Sequence, residues 1–321
     1  MKILITGING LLGSYLAKTF APIAEIHGLV RENSNLKLLG AMADKITLHK
    51  GDVMDYASLE AAFEDKDLII HAAGLVSFED RDKDKLFKIN VEGTANVVNA
   101  MLDLGIQKLI HVSSVAALGR SPEAKVIDEN HKWSDSPLNT AYAESKYLGE
   151  LEVWRGVQEG LQAIVVNPSV LLGKISDNRS STSIYQYVLE EKSYYPKGSI
   201  NYLDVRDAAQ LIYQLFEQQV WGERYILSKE SISYQRFFEK MAGKFGKKVP
   251  NKKVTPTLLE IALWAGKIGK ILGLTSSPIN RQTAMLSQLN VHMANEKIQQ
   301  LLDFSYTSLE DTLQWAQTNE N

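Results

Sequence analysis

The sequence predicts an α/β fold, a doubly wound parallel sheet with a smaller, mainly helical C-terminal region. Three observations predict it. Short β-rich runs alternate with helix-period stretches through the first half. A glycine-rich turn joins the first run to the first helix, and after Pro168 the alternation gives way to mostly helical periodicity.

The strand-like runs are residues 2–6, 24–30, 45–50, 67–72, 108–113 and 162–166, each of strand length and rich in β-formers. Helix-period stretches at 11–20, 58–63, 83–104 and 141–158 separate them. Most are long enough for the right-handed crossovers that parallel strands require. A first domain is therefore expected over residues 1–170. Beyond it come a polar stretch at 176–183, an aromatic-rich segment, and helical periodicity over 233–315. Residues 200–205 and 224–227 still read as strands and are expected to return to the edge of the first sheet, so that 200–228 completes the first domain. Residues 171–199 and 229–321 then form a substrate-binding region, with 317–321 frayed.

Composition narrows the function classes. The 321 residues, 45% apolar and 23% charged, suffice for one large or two modest domains. A formal charge of −3 gives no overall attraction for nucleic acid or an anionic membrane, so neither partner is expected. The chain has no cysteine, which excludes disulfides, thiolate nucleophiles and Cys-type zinc sites. His27, His49, His71, His111, His131 and His292 include no pair at metal-ligand spacing, and no metal is expected. The opening MKILITG is too short an apolar run for a signal peptide, so the mature chain is expected to start here and to be cytoplasmic. Residues 258–272 carry Glu260, Lys267 and Lys270 and read as an amphipathic helix shorter than a bilayer span.

The cofactor signal is Thr6-Gly7-Ile8-Asn9-Gly10-Leu11-Leu12-Gly13, directly after the first strand. Gly7 permits the tight turn, Gly10 lets the backbone approach a pyrophosphate, and Gly13 allows close helix–sheet packing. The amides of Leu11 and Leu12 open a helix whose positive dipole end favours anions. This strand–turn–helix context identifies a Rossmann NAD(P)-binding domain. After the second strand, Arg31 stands where an NAD-selective site often has a carboxylate. Its guanidinium suits a 2′-phosphate, with Lys37 nearby, and favours NADP over NAD. Asp52 and Val53 end the third strand where a carboxylate can accept from the adenine amine. Ala72, Ala73 and Gly74 end the fourth with small residues where backbone must lie close to the cofactor.

Tyr142 and Lys146 lie one turn apart at the start of a helical pattern, on one face. An ammonium there is expected to lower the phenol from its usual pKa of about 10. A second Tyr-x-x-x-Lys, Tyr225 to Lys229, falls in a strand-like run, where four residues span about 13 Å, too far to share a proton. The fifth strand ends in Ser113-Ser114. By reach alone either hydroxyl can serve the crevice, but alternation lets only one face it.

These residues resemble the extended short-chain dehydrogenase/reductase family, also called the NAD-dependent epimerase/dehydratase family. The glycine motif matches residues 6–13, the Ser-Ser-x-x-x-x-Gly element matches Ser113, Ser114 and Gly119, and Tyr-x-x-x-Lys matches Tyr142 and Lys146. The resemblance implies that Ser114 is the active serine, that Asn90 lies in the family's Asn-containing helix, and that Asn167, Pro168 and Ser169 form the nicotinamide-side loop. Asp204 stands where the family often has histidine. Leu29-Val30-Arg31 and 167–170 look most like the dihydroflavonol-reductase-like branch. Val115-Ala116 replaces the acid–base pair of dehydratases. Relatives often pair the helices at 83–104 and 141–158, which implies a homodimer.

The expected function is an NAD(P)-dependent oxidoreductase of carbonyl reductase/alcohol dehydrogenase type, acting on a small molecule through Ser114, Tyr142, Lys146 and Asn90. Two rivals stand beside it, a nucleotide-sugar epimerase with tightly held NAD and a non-catalytic NAD(P)-sensing protein. Val76, Val170, Leu171, Tyr185, Tyr187 and Tyr202 are equally readable as pocket lining or core.

Overall fold

The structure, a computed structural model, describes residues 1–177, 182–255, 257–260 and 281–318. Seven strands form the central sheet: β1 (Lys2–Thr6), β2 (Glu25–Val30), β3 (Thr47–Lys50), β4 (Leu68–His71), β5 (Lys108–Val112), β7 (Gln162–Pro168) and β11 (Glu223–Leu227); β6 (Val126–Ile127), β8 (Val170–Leu172), β9 (Tyr194–Tyr195) and β10 (Ser199–Asp204) lie outside it. The order is β11-β7-β5-β4-β1-β2-β3 and every pairing is parallel. It is the doubly wound sheet expected from the alternation.

Strand alternation divides the core between the two faces. Ile3 and Ile5 point into one cluster, completed by α1 (Leu11–Phe20), while Leu4 between them points into the other, with α2 (Tyr56–Phe63). All three are wholly buried, as a sheet covered on both sides requires. The stretch expected at 83–104 is helical from end to end, but its winding changes midway. It is α3 (Lys83–Phe87), a π-helical turn at Lys88–Glu92 and α4 (Gly93–Asp103). The widened turn holds Asn90, which is buried. The fourth long helix, α5 (Ala141–Gln158), starts on a Thr140 cap that accepts from the Ala143 amide.

One strand goes elsewhere than expected. Of the two segments expected at the sheet edge, β11 does pair with β7, but β10 does not join that sheet. It lies between β8 and β12 (Glu230–Ser233) in a separate three-stranded sheet. The cause is the departure of β8 from the end of β7, which offers β10 a parallel partner away from the main sheet. Helix α6 (Thr182–Leu189) and, beyond α7 (Val205–Glu217), helix α8 (Tyr234–Phe245) pack on this smaller sheet. Tyr185 and Tyr202 are fully buried in that cluster and Tyr187 stacks on Phe238, so these three are core rather than pocket lining. The amphipathic helix expected at 258–272 lies almost wholly outside the described residues. Among the described residues no helix is long and apolar enough to cross a membrane.

Candidate active site

The strand order reverses between β1 and β4, and the crevice that this leaves at their carboxyl ends is where the sequence signals converge. Gly7 turns there at φ +68°. A Cβ on it would lie 2.6 Å from the Ala73 nitrogen, and one on Gly13 2.2 Å from the Gly7 carbonyl oxygen. Both positions need glycine, for the turn, for the contact with the end of β4, and for the seat of α1. The first turn of α1 carries no acidic residue, so its free amides and dipole end face the crevice unneutralised. At its floor a directional chain of hydrogen bonds spans the sheet. The Ala73 amide donates to Thr6 Oγ1 (3.2 Å), and Thr6 Oγ1 pairs with His71 Nδ1 (2.7 Å). On the other side His71 Nε2 pairs with Thr94 Oγ1 (3.1 Å), which donates to the Asn90 carbonyl (2.7 Å). With Thr94 donating onward, His71 must carry its proton on Nε2 and accept at Nδ1.

Several expected cofactor residues border this crevice. The Asn9 amide reaches the Asn35 carbonyl at 3.3 Å, drawing the loop after β2 toward the glycine turn. Arg31, at the end of β2, is exposed, while its neighbour Glu32 pairs with Lys50 at 3.7 Å. Asp52 accepts from the Met54 amide at 3.0 Å, a local turn bond that occupies one carboxylate oxygen. Val53 is buried against Gly93. At the far end Pro168 closes β7, and the buried Ser169 hydroxyl has no hydrogen-bond partner among the described residues. An orphaned buried hydroxyl, an uncapped helix start and glycines under close backbone contact fit a dinucleotide laid across the crevice.

The catalytic candidates meet on the β5 side. Ser114 follows β5, and its side chain lies close enough to the Tyr142 hydroxyl to pull the phenol's pKa down. Ser113 turns the other way, buried, and donates to Glu150 at 2.7 Å, so alternation selects Ser114. The Lys146 ammonium, one turn after Tyr142, donates to the Val112 carbonyl at 2.9 Å. Desolvation lowers Lys146 to about 8, with Glu150 opposing. The phenol of Tyr142 does not behave as the sequence leads one to expect. Burial pushes its pKa up, and the contact that pulls it down is Ser114 rather than Lys146. Nothing charged sits close enough to offset desolvation when the ammonium is turned to a backbone carbonyl.

Asn90 is positioned by its amide, which accepts from the Leu75 amide (2.7 Å) and donates to the Leu75 carbonyl (3.0 Å) and to Ser145 Oγ (2.9 Å). Ser145 lies between Tyr142 and Lys146, so the π-turn is tied to α5. Gly149 permits the approach, since a Cβ there would lie 2.2 Å from the Asn90 carbonyl oxygen.

Sequence reasoning missed Phe78, whose ring meets Tyr142 edge-on at 5.6 Å. Together with Ser77, Thr140, Tyr142 and Gln282 it lines a cavity of about 250 Å³. Phe78 sits in an aperiodic loop and gave no pattern to read. A larger hollow of about 430 Å³, lined by Trp133, Asp135, Asn139 and Glu144, holds none of the catalytic side chains. The other Tyr-x-x-x-Lys is spent on structure, with Tyr225 buried and Lys229 donating to the Thr307 carbonyl at 2.6 Å. Asp204 caps α7 and pairs with Arg206 and Thr312, again a structural role.

Residues 3–227, most of the chain, match the NAD dependent epimerase/dehydratase family. The chain belongs to this family. It is therefore an NAD(P)-dependent enzyme built on the family's Rossmann fold. It is 32% identical over 240 residues to cinnamoyl-CoA reductase 1 of Oryza sativa subsp. japonica, covering 69% of each chain. It is 27% identical to a Synechocystis protein named for dihydroflavonol 4-reductase, over 98% of this chain and 94% of that one. Among solved structures, gox2253 superposes with a TM-score of 0.82 at 28% identity, over 98% of this chain and 96% of the other. The first two of these are named as reductases, in keeping with the branch that the motifs resemble.

Proposed function

We propose that this enzyme is an NADP-preferring carbonyl reductase or alcohol dehydrogenase in which Ser114, Tyr142 and Lys146 carry the proton chemistry. The observation that supports it best is that Ser113 is turned away to Glu150, which leaves Ser114 beside Tyr142, with Lys146 one helical turn behind the phenol. When bound, the nicotinamide supplies the hydride.

The chain's own residues do the rest. Ser114 donates a hydrogen bond to the substrate oxygen as negative charge grows on it. The raised pKa keeps the Tyr142 phenol protonated and ready to deliver that proton to the oxygen in the reducing direction. Lys146 stabilises the phenolate left behind once its ammonium swings from the Val112 carbonyl toward the phenolic oxygen. Asn90 keeps the π-turn locked to α5, so that Tyr142 and Lys146 keep their distance from the end of β4. The dinucleotide would be held by Gly7, Asn9, Gly10, Leu11 and Leu12 at the phosphates and by Asp52 and Val53 at the adenine. Ala72, Ala73 and Gly74 would line its path, with Pro168 and Ser169 at the nicotinamide. Arg31, exposed and free of Glu32, would take the 2′-phosphate.

The wall beside Tyr142 supports a substrate class, since besides Phe78 it carries two acidic residues, Glu79 and Asp80, against one cation, Lys83. Phe78 presents an apolar aromatic surface at the reacting end of the cavity, which suits a hydrophobic carbonyl compound better than a diphosphate sugar. The resemblance to a cinnamoyl-CoA reductase is in keeping with this reading. A homodimer through α4 and α5 belongs to the same proposal, and light scattering giving a monomer would reject that part.

The test is NADPH consumption with a panel of apolar aldehydes and ketones, alongside mass spectrometry of the native protein. Substrate-dependent, stoichiometric oxidation of NADPH is the expected result. Firmly retained NAD with no net redox change would replace the reductase by a sugar epimerase. Cofactor binding without turnover on any carbonyl would point to a sensing protein.

A further inference from the structure

Glu150 is the most enclosed charge beside the site, with no exposed surface, yet the mechanism above gives it no task. It lies one turn beyond Lys146 on α5. Its Oε2 accepts from Ser113 Oγ at 2.7 Å and from Asn167 Nδ2 at 3.0 Å. Its Oε1 accepts from Trp154 Nε1 at 3.3 Å and is paired with the Arg224 guanidinium, which arrives from β11. A carboxylate offers about four acceptor directions, and here four donors from four elements take them.

The Asn167 amide carries this anchoring to the reacting groups. Its Nδ2 has two hydrogens, and both are used, one on Glu150 and one on the Ser114 carbonyl at 2.9 Å. Its Oδ1 has no partner among the described residues, so the amide is held through its NH2 end. Carboxylate and carbonyl are both pure acceptors, which fixes that orientation. Glu150 therefore grips Ser113 and Asn167, each immediately next to a working segment: Ser114 on one side, Pro168 and Ser169 on the other.

We propose that Glu150 is a positioning residue, which registers the strand ends bearing Ser114 and Ser169 against the helix bearing Tyr142 and Lys146. Stability alone does not call for it. A buried ion pair replaced by apolar side chains of similar size is often neutral or stabilising. What an apolar pair cannot do is accept from Ser113 and Asn167 at once. Arg224 compensates the charge from the edge strand, its guanidinium also lying over the Trp154 ring at 5.8 Å. The proposal rests on Ser114 and Tyr142 acting as read above.

The experiment compares two double variants with the same net charge. E150Q/R224M keeps a side-chain carbonyl that can accept from Ser113 and Asn167; E150L/R224M keeps none. Both are assayed for NADPH binding, for kcat and KM with a reducible carbonyl, and for amide hydrogen exchange over 112–118 and 166–171. Positioning predicts that E150Q/R224M recovers kcat to within about threefold of the parent, and that E150L/R224M loses about 100-fold, the scale of a 1 Å misplacement. NADPH affinity should change little in E150Q/R224M and weaken in E150L/R224M, where the Ser169 strand end is released. Exchange over the two strand ends should rise in E150L/R224M while the protection of α5 persists. Equal kcat and equal exchange in the two variants, whatever their melting temperatures, would overturn the proposal. If the parent reduces no carbonyl, the functional reading fails, and the exchange comparison still decides the role of Glu150.

Discussion

The Ser114 hydroxyl, at the end of β5, lies beside the Tyr142 phenol at the start of α5 and pulls its pKa down, whereas the Lys146 ammonium is turned to the Val112 carbonyl. A carbonyl oxygen entering between the two hydroxyls would accept from both. The consequences of this geometry can be measured.

Removing the phenolic oxygen should stop chemistry and spare binding. Tyr142→Phe is expected to lower kcat by about 10²–10⁴-fold, the range for a general acid, with NADPH affinity unchanged by fluorescence titration. Ser114→Ala should cost about 10²-fold or more, as for loss of one donor to a developing oxyanion. Near-full turnover in Tyr142→Phe would refute the assigned roles.

Lys146 titrates near 8 because it is buried, so its charge is lost within the working range. As pH rises through about 8 the ammonium becomes neutral and no longer supports the phenolate. The pH profile of kcat/KM for reduction should therefore fall on its alkaline side from that point. A plateau extending to the ordinary lysine range would contradict this assignment.

His71 is buried and held down to about 3 by desolvation, with Lys146 adding to the shift. The folded state keeps it neutral while the unfolded chain protonates it below about 6.5. Its contribution to stability is thus fully present above that pH and declines as the pH falls toward 3. The slope is about 1.4 kcal/mol per pH unit for each histidine that stays neutral. His111, whose ring nitrogens have no hydrogen-bond partner among the described residues and which burial also drives well down, adds in the same direction. Urea titrations between pH 7 and 4 should show the loss, and His71→Gln should flatten it.

Gly13 has no room for a methyl group, because the contact would be with the Gly7 backbone and not with a side chain that can rotate. Gly13→Ala should destabilise the fold by about 1–3 kcal/mol, read by chemical denaturation, and weaken NADPH binding. Unchanged affinity would mean that the loop tolerates displacement of α1.

The cofactor preference proposed for Arg31 can be tested by exchange. Exchanging it for glutamate should reverse the order of NADPH and NADH affinities, with at least about a tenfold loss for NADPH, since a hydrogen bond to a charged group contributes about 1.5–3 kcal/mol. Equal NADPH binding by parent and Arg31→Glu would assign Arg31 to the solvated surface.

By itself the sequence determined the alternation of strands and helices, the glycine turn at residues 6–13 and the one-turn spacing of Tyr142 and Lys146. Those are local properties, set by periodicity and backbone freedom within a few residues. Which serine lies beside Tyr142, Ser113 or Ser114, waited for the fold, because it depends on Glu150 taking the Ser113 hydroxyl. So did the upward shift of Tyr142, where burial outweighs a sequence neighbour whose charge is directed elsewhere. The π-turn at Asn90 and the diversion of β10 likewise come from contacts with α5 and β8, dozens of residues away along the chain. Desolvation and long-range hydrogen bonding exist only after distant segments meet, and only the tertiary structure decides them.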